Sequence, residues 1–194
     1  MQGAIINLDW SKAFDRVDNE FLRQVMGRLG FSQIFINWIE LIYTDIQSTV
    51  MINGIFTETF SVQRGIRQGC PLSTMLYVIF QEALYVALKK NDIIKCIDFP
   101  NQEKTIVLGY SDDTNLFPKD DASIIEINKI IIKFEDATGA RLNRDRKTKI
   151  YGLGSWNNRT NWPLTWLKCE IVSFTSLEII FSNDYVTIII GISP

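Results

Sequence analysis

Along the chain, the spacing of apolar residues switches between the two-residue period of a strand and the three-to-four-residue period of a helix. Residues 4–10 alternate: Ile6, Leu8 and Trp10 fall on one side, Ile5, Asn7 and Asp9 on the other, which predicts a strand with two unlike faces. Asp18 stands where a helix cap is expected, and Phe21, Leu22, Val25, Met26 and Leu29 follow at helical spacing until Gly30. A second helix is predicted over 33–45, with Ile34, Trp38, Leu41 and Ile42 turned inward. Residues 49–52 and 56–62 flank Asn53-Gly54, a strong short hairpin signal. A polar, glycine-rich loop covers 63–71, and Ser73 is expected to cap an apolar helix reaching about Lys89. Short strands over 105–110 and 114–117 enclose Ser111-Asp112-Asp113. An amphipathic helix over 122–138 carries Ile124, Ile127, Ile131 and Phe134 and stops at Gly139. Residues 157–163 read as a polar loop and the β-branched tail, 171–190, as strands. The order β-α-α-β-β-α-β-β-α-β predicts an α+β fold, a mostly antiparallel sheet with helices packed on one face.

Composition narrows the chemistry. The 194 residues suit one domain with a sizeable core, and no repeat or low-complexity tract divides them. There is no His, which removes His-based acid–base catalysis and His-containing metal sites. Cys70, Cys96 and Cys169 are widely spaced and form no CxxC, so neither a zinc ribbon nor a disulfide framework is supported. Reduced thiols, no signal-peptide pattern and no long apolar run lead to the expectation of a cytoplasmic or nuclear protein, not secreted and without a membrane partner. The net charge of −2, from 20 bases and 22 acids, speaks against a partner held by overall positive charge, such as nucleic acid.

The acids themselves are informative. Asp112-Asp113 is expected at the tip of a hairpin flanked by Val107, Leu108, Tyr110, Leu116 and Phe117, which suggests a core hairpin rather than a solvated turn. If Asp9 ends the neighbouring strand, three carboxylates converge, and such a group is repelled unless a divalent cation neutralises it. Ligation by oxygen alone suits Mg²⁺, and the chemistry served would be in-line phosphoryl transfer with two metal ions.

Three stretches then carry a resemblance. Asp9-Trp10-Ser11-Lys12-Ala13-Phe14-Asp15 resembles the first catalytic motif of non-long-terminal-repeat (LINE-type) retrotransposon reverse transcriptases. The run Arg64-Gly65-Ile66-Arg67-Gln68-Gly69-Cys70-Pro71-Leu72-Ser73 is similar to their second motif, and Tyr110-Ser111-Asp112-Asp113 to their third, in the family's order and separations. The resemblance implies a polymerase palm over 4–151, followed by a β-rich extension over 152–194 that includes a partial primer-grip hairpin within 175–185. It implies RNA-directed DNA polymerase activity on an RNA template and a DNA primer with deoxynucleoside triphosphates. The ligands of two Mg²⁺ ions, with Mn²⁺ as a substitute, would be Asp9, Asp112 and Asp113. Phe14 falls where the family keeps the bulky residue under the nucleotide sugar. Gln68 is assigned to template or nucleotide contact, with Arg67, Gly69 and Tyr110 beside it. The stretch 139–149, with five bases and one acid, resembles the fourth palm motif, and Lys147 is expected near the pyrophosphate, with Arg146 as the alternative.

Three readings follow. The resemblance implies fingers before Asp9 and a thumb after the tail, so the expectation is a palm-region piece with little activity alone. The alternatives are an inactive remnant that at most binds nucleic acid, and an unrelated acidic metal-binding domain. The resemblance also revises the inference from net charge. Bases gather at Arg64–Arg67 and within 141–149, while some of the acids belong to the carboxylate group.

Overall fold

The computed structural model describes residues 2–98, 105–144, 148–169, 173–176 and 179–182. In chain order these form β1 (Gln2–Leu8), a 3-10 turn (Phe14–Arg16), α1 (Asn19–Arg28) and α2 (Gln33–Tyr43). Four short strands follow: β2 (Gln47–Ser48), β3 (Met51–Ile52), β4 (Ile55–Phe56) and β5 (Phe60–Ser61). Then come α3 (Pro71–Lys89), β6 (Val107–Tyr110), β7 (Asp113–Leu116), α4 (Asp121–Thr138) and β8 (Lys149–Gly154). β9 (Lys168–Cys169), β10 (Ser173–Ser176) and β11 (Ile179–Ser182) complete the described strands.

The principal sheet has the order β6-β7-β1-β8-β9, antiparallel throughout except for the β8–β9 pair. β1 lies at its centre, and its alternation divides the molecule. Ala4, Ile6 and Leu8, with Trp10 beyond the strand, enter the main core with residues of all four helices, including Leu22, Met26, Ile36, Leu76, Phe80, Ile127 and Phe134. Ile5 points the other way, into a small cluster with Ile97, Phe117 and Tyr151. The helices therefore cover one face, as the pattern predicts.

The caps also follow the sequence. Asp18 accepts a hydrogen bond from the Phe21 N–H at 2.9 Å, and Gly139 ends α4 in the left-handed conformation (φ 72°). The Asn53-Gly54 turn joins β3 to β4 with Ile52 opposite Ile55, both turn residues having positive φ, which suits a tight hairpin. Its strands are shorter than predicted because the arm stands away from the body and residues 51–60 are exposed.

Three expectations change. α2 buries Ile36, Ile39 and Tyr43, whereas Ile34, Trp38, Leu41 and Ile42 face solvent. The helix is apolar nearly all round, so two stripes satisfy the same period; packing against α1 selects the 36-39-43 stripe. Ser73 does not cap α3. Pro71 starts the helix at its first position, and Ser73 sits buried in the first turn, 3.4 Å from the Tyr43 hydroxyl. The β6–β7 hairpin is a core hairpin on one face only, because Leu108 and Tyr110 are exposed.

β8 runs across the expected boundary at 151/152, and Trp162 and Leu167 beyond it join the main core. Among the described residues, α3 is also the helix whose length and composition would suit a membrane span. Here it is the central core helix, burying Leu76, Tyr77, Phe80, Leu84 and Leu88.

Candidate active site

The uncovered end of the sheet is where the acids gather. β1 and β7 pair with Leu8 opposite Thr114, so one residue further along Asp9 comes level with Asp113. Alternation puts both on the face away from the helices, with Asn7 and Asn115, whose side chains bond each other at 3.1 Å. Asp112 and Ser111 form the two-residue turn between Tyr110 and Asp113, and Ser111 takes the left-handed conformation (φ 55°) that so tight a reversal requires.

Asp9 is fixed from the segment after α4. The Asn143 side-chain amide donates to Asp9 Oδ2 at 2.7 Å, the Asn143 N–H donates to the Asp9 carbonyl at 2.8 Å, and the Asp9 N–H reaches Thr148 Oγ1 at 3.3 Å. The Asp113 carboxyl is held above the usual aspartate range, first by burial and then by the negative charges of Asp112 and Asp9. Asp113 thus feels both of the other carboxylates. Among the described residues no three acids or thiols, Asp9, Asp112 and Asp113 included, stand close enough together to form a ready metal-holding group. The group is open, made of oxygen donors and crowded with like charge, which is the donor chemistry of a hard divalent cation.

Beside the acids lies an open cleft of about 430 Å³ lined by Phe14, Gln68, Gly69, Cys70, Pro71, Thr74 and Asp112. Its walls come from three separate stretches of chain. The 3-10 turn brings Phe14, which stacks on Tyr77 of α3 with centroids 5.0 Å apart and planes at 17°. The glycine-rich loop lies against that turn. The Ile66 N–H donates to the Phe14 carbonyl at 2.9 Å, and a side chain at Gly65 would meet the Asp15 backbone at 3.0 Å. The β6–β7 turn supplies Asp112. The backbone N–H of Leu72, at the start of α3, lowers the pKa of Cys70 in the cleft wall.

Not every predicted residue meets there. Arg67 lines a neighbouring cavity of about 400 Å³ with Asp15, Arg64 and Gln68. Gln68 borders both. Tyr110 is 74% exposed, opposite Asp113 on the uncovered face. Lys147 and its alternative Arg146 lie outside the described residues, as does the chain from Asn183 onward; of the expected primer-grip region only 175–176 and 179–182 are described. Asn143 is absent from the residues the motifs assign a role: it lies in the stretch resembling the fourth motif, but its placement at Asp9 depends on the bridge between Trp10 and Leu142, which only the fold creates.

Residues 2–175 match the family model described as reverse transcriptase (RNA-dependent DNA polymerase). The chain belongs to the reverse transcriptase family, and the resemblance drawn from the three motifs holds. It is 30% identical over 147 residues to the Transposon TX1 uncharacterized 149 kDa protein of Xenopus laevis, covering 76% of this chain and 11% of that protein. It is 27% identical over 147 residues to a retrovirus-related Pol polyprotein from type-1 retrotransposable element R2 of Popillia japonica, covering 75% of this chain and 20% of that one. The chain therefore spans a fifth or less of the length of these two relatives. Among solved structures, a telomerase from Candida albicans superimposes with a TM-score of 0.61 at 14% identity, covering 97% of this chain and 30% of that one. The apo telomerase from Candida tropicalis gives 0.59 at 17% identity, covering 93% and 34%. The fold is the α+β, palm-like one the sequence implies.

Proposed function

We propose that this chain is the palm of an RNA-directed DNA polymerase that adds deoxynucleotides to a DNA primer 3′-hydroxyl on an RNA template. The observation that carries this reading is the cleft in which Phe14, Gln68, Gly69 and Asp112 come together beside Asp9 and Asp113. Asp9, Asp112 and Asp113 would hold two Mg²⁺ ions, with Mn²⁺ able to replace them. Bound there, the ions would lower the pKa of the attacking hydroxyl and stabilise charge on the departing pyrophosphate. Asn143 keeps one Asp9 oxygen engaged and so orients the carboxylate. The Phe14 ring, backed by Tyr77, is a flat rigid wall against which a deoxyribose fits and a 2′-hydroxyl collides. Gln68 presents an amide, and Gly69, with open space where a side chain would be, lets a nucleotide approach the backbone. Arg67 would contact the template from the adjoining cavity, Tyr110 the primer end on the uncovered face, and Lys147 would donate a proton to the pyrophosphate.

The test is primer extension by the purified chain with Mg²⁺, a primed RNA template and deoxynucleotides, beside the double variant Asp112→Ala, Asp113→Ala. Extension by the parent above the variant supports the reading. Equal, background incorporation by two folded proteins, with template still bound, assigns the chain the role of a nucleic-acid-binding remnant instead.

A further inference from the structure

Beneath the carboxylates a single buried amide touches all three parts of the candidate site. Gln81, on the inward face of α3, is 1% exposed. Tyr77, Gln81 and Tyr85 follow one another at four-residue steps and so share that face. With its nitrogen toward Tyr85, the amide makes four hydrogen bonds. Nε2 donates to the Tyr85 hydroxyl at 2.6 Å and to the Ser111 carbonyl at 3.0 Å, while Oε1 accepts from the Tyr77 hydroxyl at 2.9 Å and from the Trp10 indole N–H at 3.2 Å. The opposite orientation would set donor against donor at Trp10 and acceptor against acceptor at Ser111. The Tyr85 hydroxyl continues the chain of bonds to Thr114 Oγ1 at 3.1 Å.

Each partner adjoins an element of the site. Trp10 follows Asp9, Ser111 precedes Asp112, Thr114 follows Asp113, and the Tyr77 ring is the surface on which Phe14 stacks. The strand β1, the β6–β7 turn and α3 are far apart along the chain, and the amide is where they meet. A fully bonded amide in a dry core holds its partners in one arrangement, because every alternative leaves a buried polar group unpaired.

We infer that Gln81 is a positioning residue that holds both the spacing of the carboxylates and the position of the sugar-facing Phe14, so that loss of the amide changes metal affinity and sugar preference together, while loss of its Tyr77 tie alone changes only the sugar side. The inference rests on the palm reading above. Replacement by Leu keeps the bulk and removes all four bonds. Tyr77→Phe keeps the ring under Phe14 and removes only its tie to the amide.

Mn²⁺ binding, followed by the electron paramagnetic resonance of the free ion, and calorimetric binding of dATP and ATP in Mn²⁺ separate the outcomes. Gln81→Leu is expected to weaken Mn²⁺ binding about fivefold and to narrow the dATP-over-ATP preference with it, the scale set by one supporting hydrogen bond. Tyr77→Phe is expected to leave Mn²⁺ affinity within about twofold and narrow the sugar preference alone, an effect smaller than one net hydrogen bond at the metal. Leu88→Ala, a core truncation on the same helix, lowers the melting temperature and should change neither readout. Should Gln81→Leu not fold, Tyr77→Phe decides. Unchanged binding and preference in Gln81→Leu, or in Tyr77→Phe where it stands alone, overturn the coupling while leaving the palm reading intact. A parent whose Mn²⁺ binding is insensitive to Asp112→Asn with Asp113→Asn overturns the palm reading and the coupling together.

Discussion

Replacing Asp113 by Asn should make the metal-free protein more stable and the metal-loaded protein less so. Asp113 faces two like charges, and burial together with Asp112 and Asp9 raises its carboxyl above the usual range. A unit charge pair at 4 Å in a water-like medium interacts by about 1 kcal/mol, and Asp113 is exposed enough for solvent to screen it to that level or below. Asn keeps the shape and removes the charge, so a gain of about 0.5–1 kcal/mol is expected, or roughly 1–4 °C for a domain of this size. Divalent cation reverses the order. At tenfold excess over its dissociation constant a ligand specific to the folded state adds about 1.4 kcal/mol, and the Asp113→Asn variant would forgo most of it. The sign with pH follows from the raised value. The cost of the charged form is absent below the ordinary aspartate pKa of about 3.9 and grows as pH rises through the folded-state value. The advantage of the variant in chelator should therefore vanish on acidification. Scanning calorimetry of both proteins, in chelator and across a Mg²⁺ series, gives melting curves that cross. A variant less stable than the parent in chelator, or an equal Mg²⁺ shift in both, would refute the charge crowding argued from the β1–β7 register.

Other outcomes can be stated briefly. Cys70, its pKa lowered by the Leu72 N–H at the start of α3, should react with iodoacetamide at lower pH than an ordinary thiol, whereas buried Cys96 should not react in the folded protein; peptide mapping of the labelled chain reads both. Gly109→Ala would place a methyl 2.0 Å from the Tyr85 hydroxyl, and a loss of about 1–3 kcal/mol in urea unfolding is expected from overpacking. Trp38→Gln with Leu41→Gln should change stability by no more than about 0.5 kcal/mol each, since both side chains face solvent; a loss of several kcal/mol in the same assay would restore them to the core.

How much of the fold and site is legible in the sequence depends on whether one local pattern has one physical solution. β1 does, because its two faces meet unlike surroundings, so Ile6 and Leu8 beneath the helices lie opposite Ile5, Asn7 and Asp9. Asp18 and Gly139 do as well, since a helix end admits few alternatives. α2 does not. With Ile34, Ile36, Trp38, Ile39, Leu41 and Ile42 spread around it, the buried stripe is chosen by α1, which the local sequence does not contain. Ser73 misleads because a proline two residues earlier competes for the start of the helix and wins. In the site, motifs name Phe14, Gln68, Gly69 and Asp112, but their meeting in one cleft is a product of tertiary folding. Asn143 lies in the stretch that resembles the fourth palm motif without a role of its own there, and Gln81 belongs to no motif. Gln81 still leaves a trace, a lone polar residue spaced between two tyrosines on the buried side of an apolar helix.

The two faces of β1 also set how the chain tolerates insertion and deletion. Loss of one residue from the middle of this strand would exchange the duties of every position on one side of it: Asn7 and Asp9 would be driven beneath the helices, and Ile6 and Leu8 onto the opposite, more polar face. Such a lesion would unfold the protein rather than merely displace an acid, whereas a substitution at Asp9 alone would spare the fold. Length change in this strand and point change at its end are thus different kinds of damage, and a circular-dichroism spectrum would tell them apart before any polymerase assay was run.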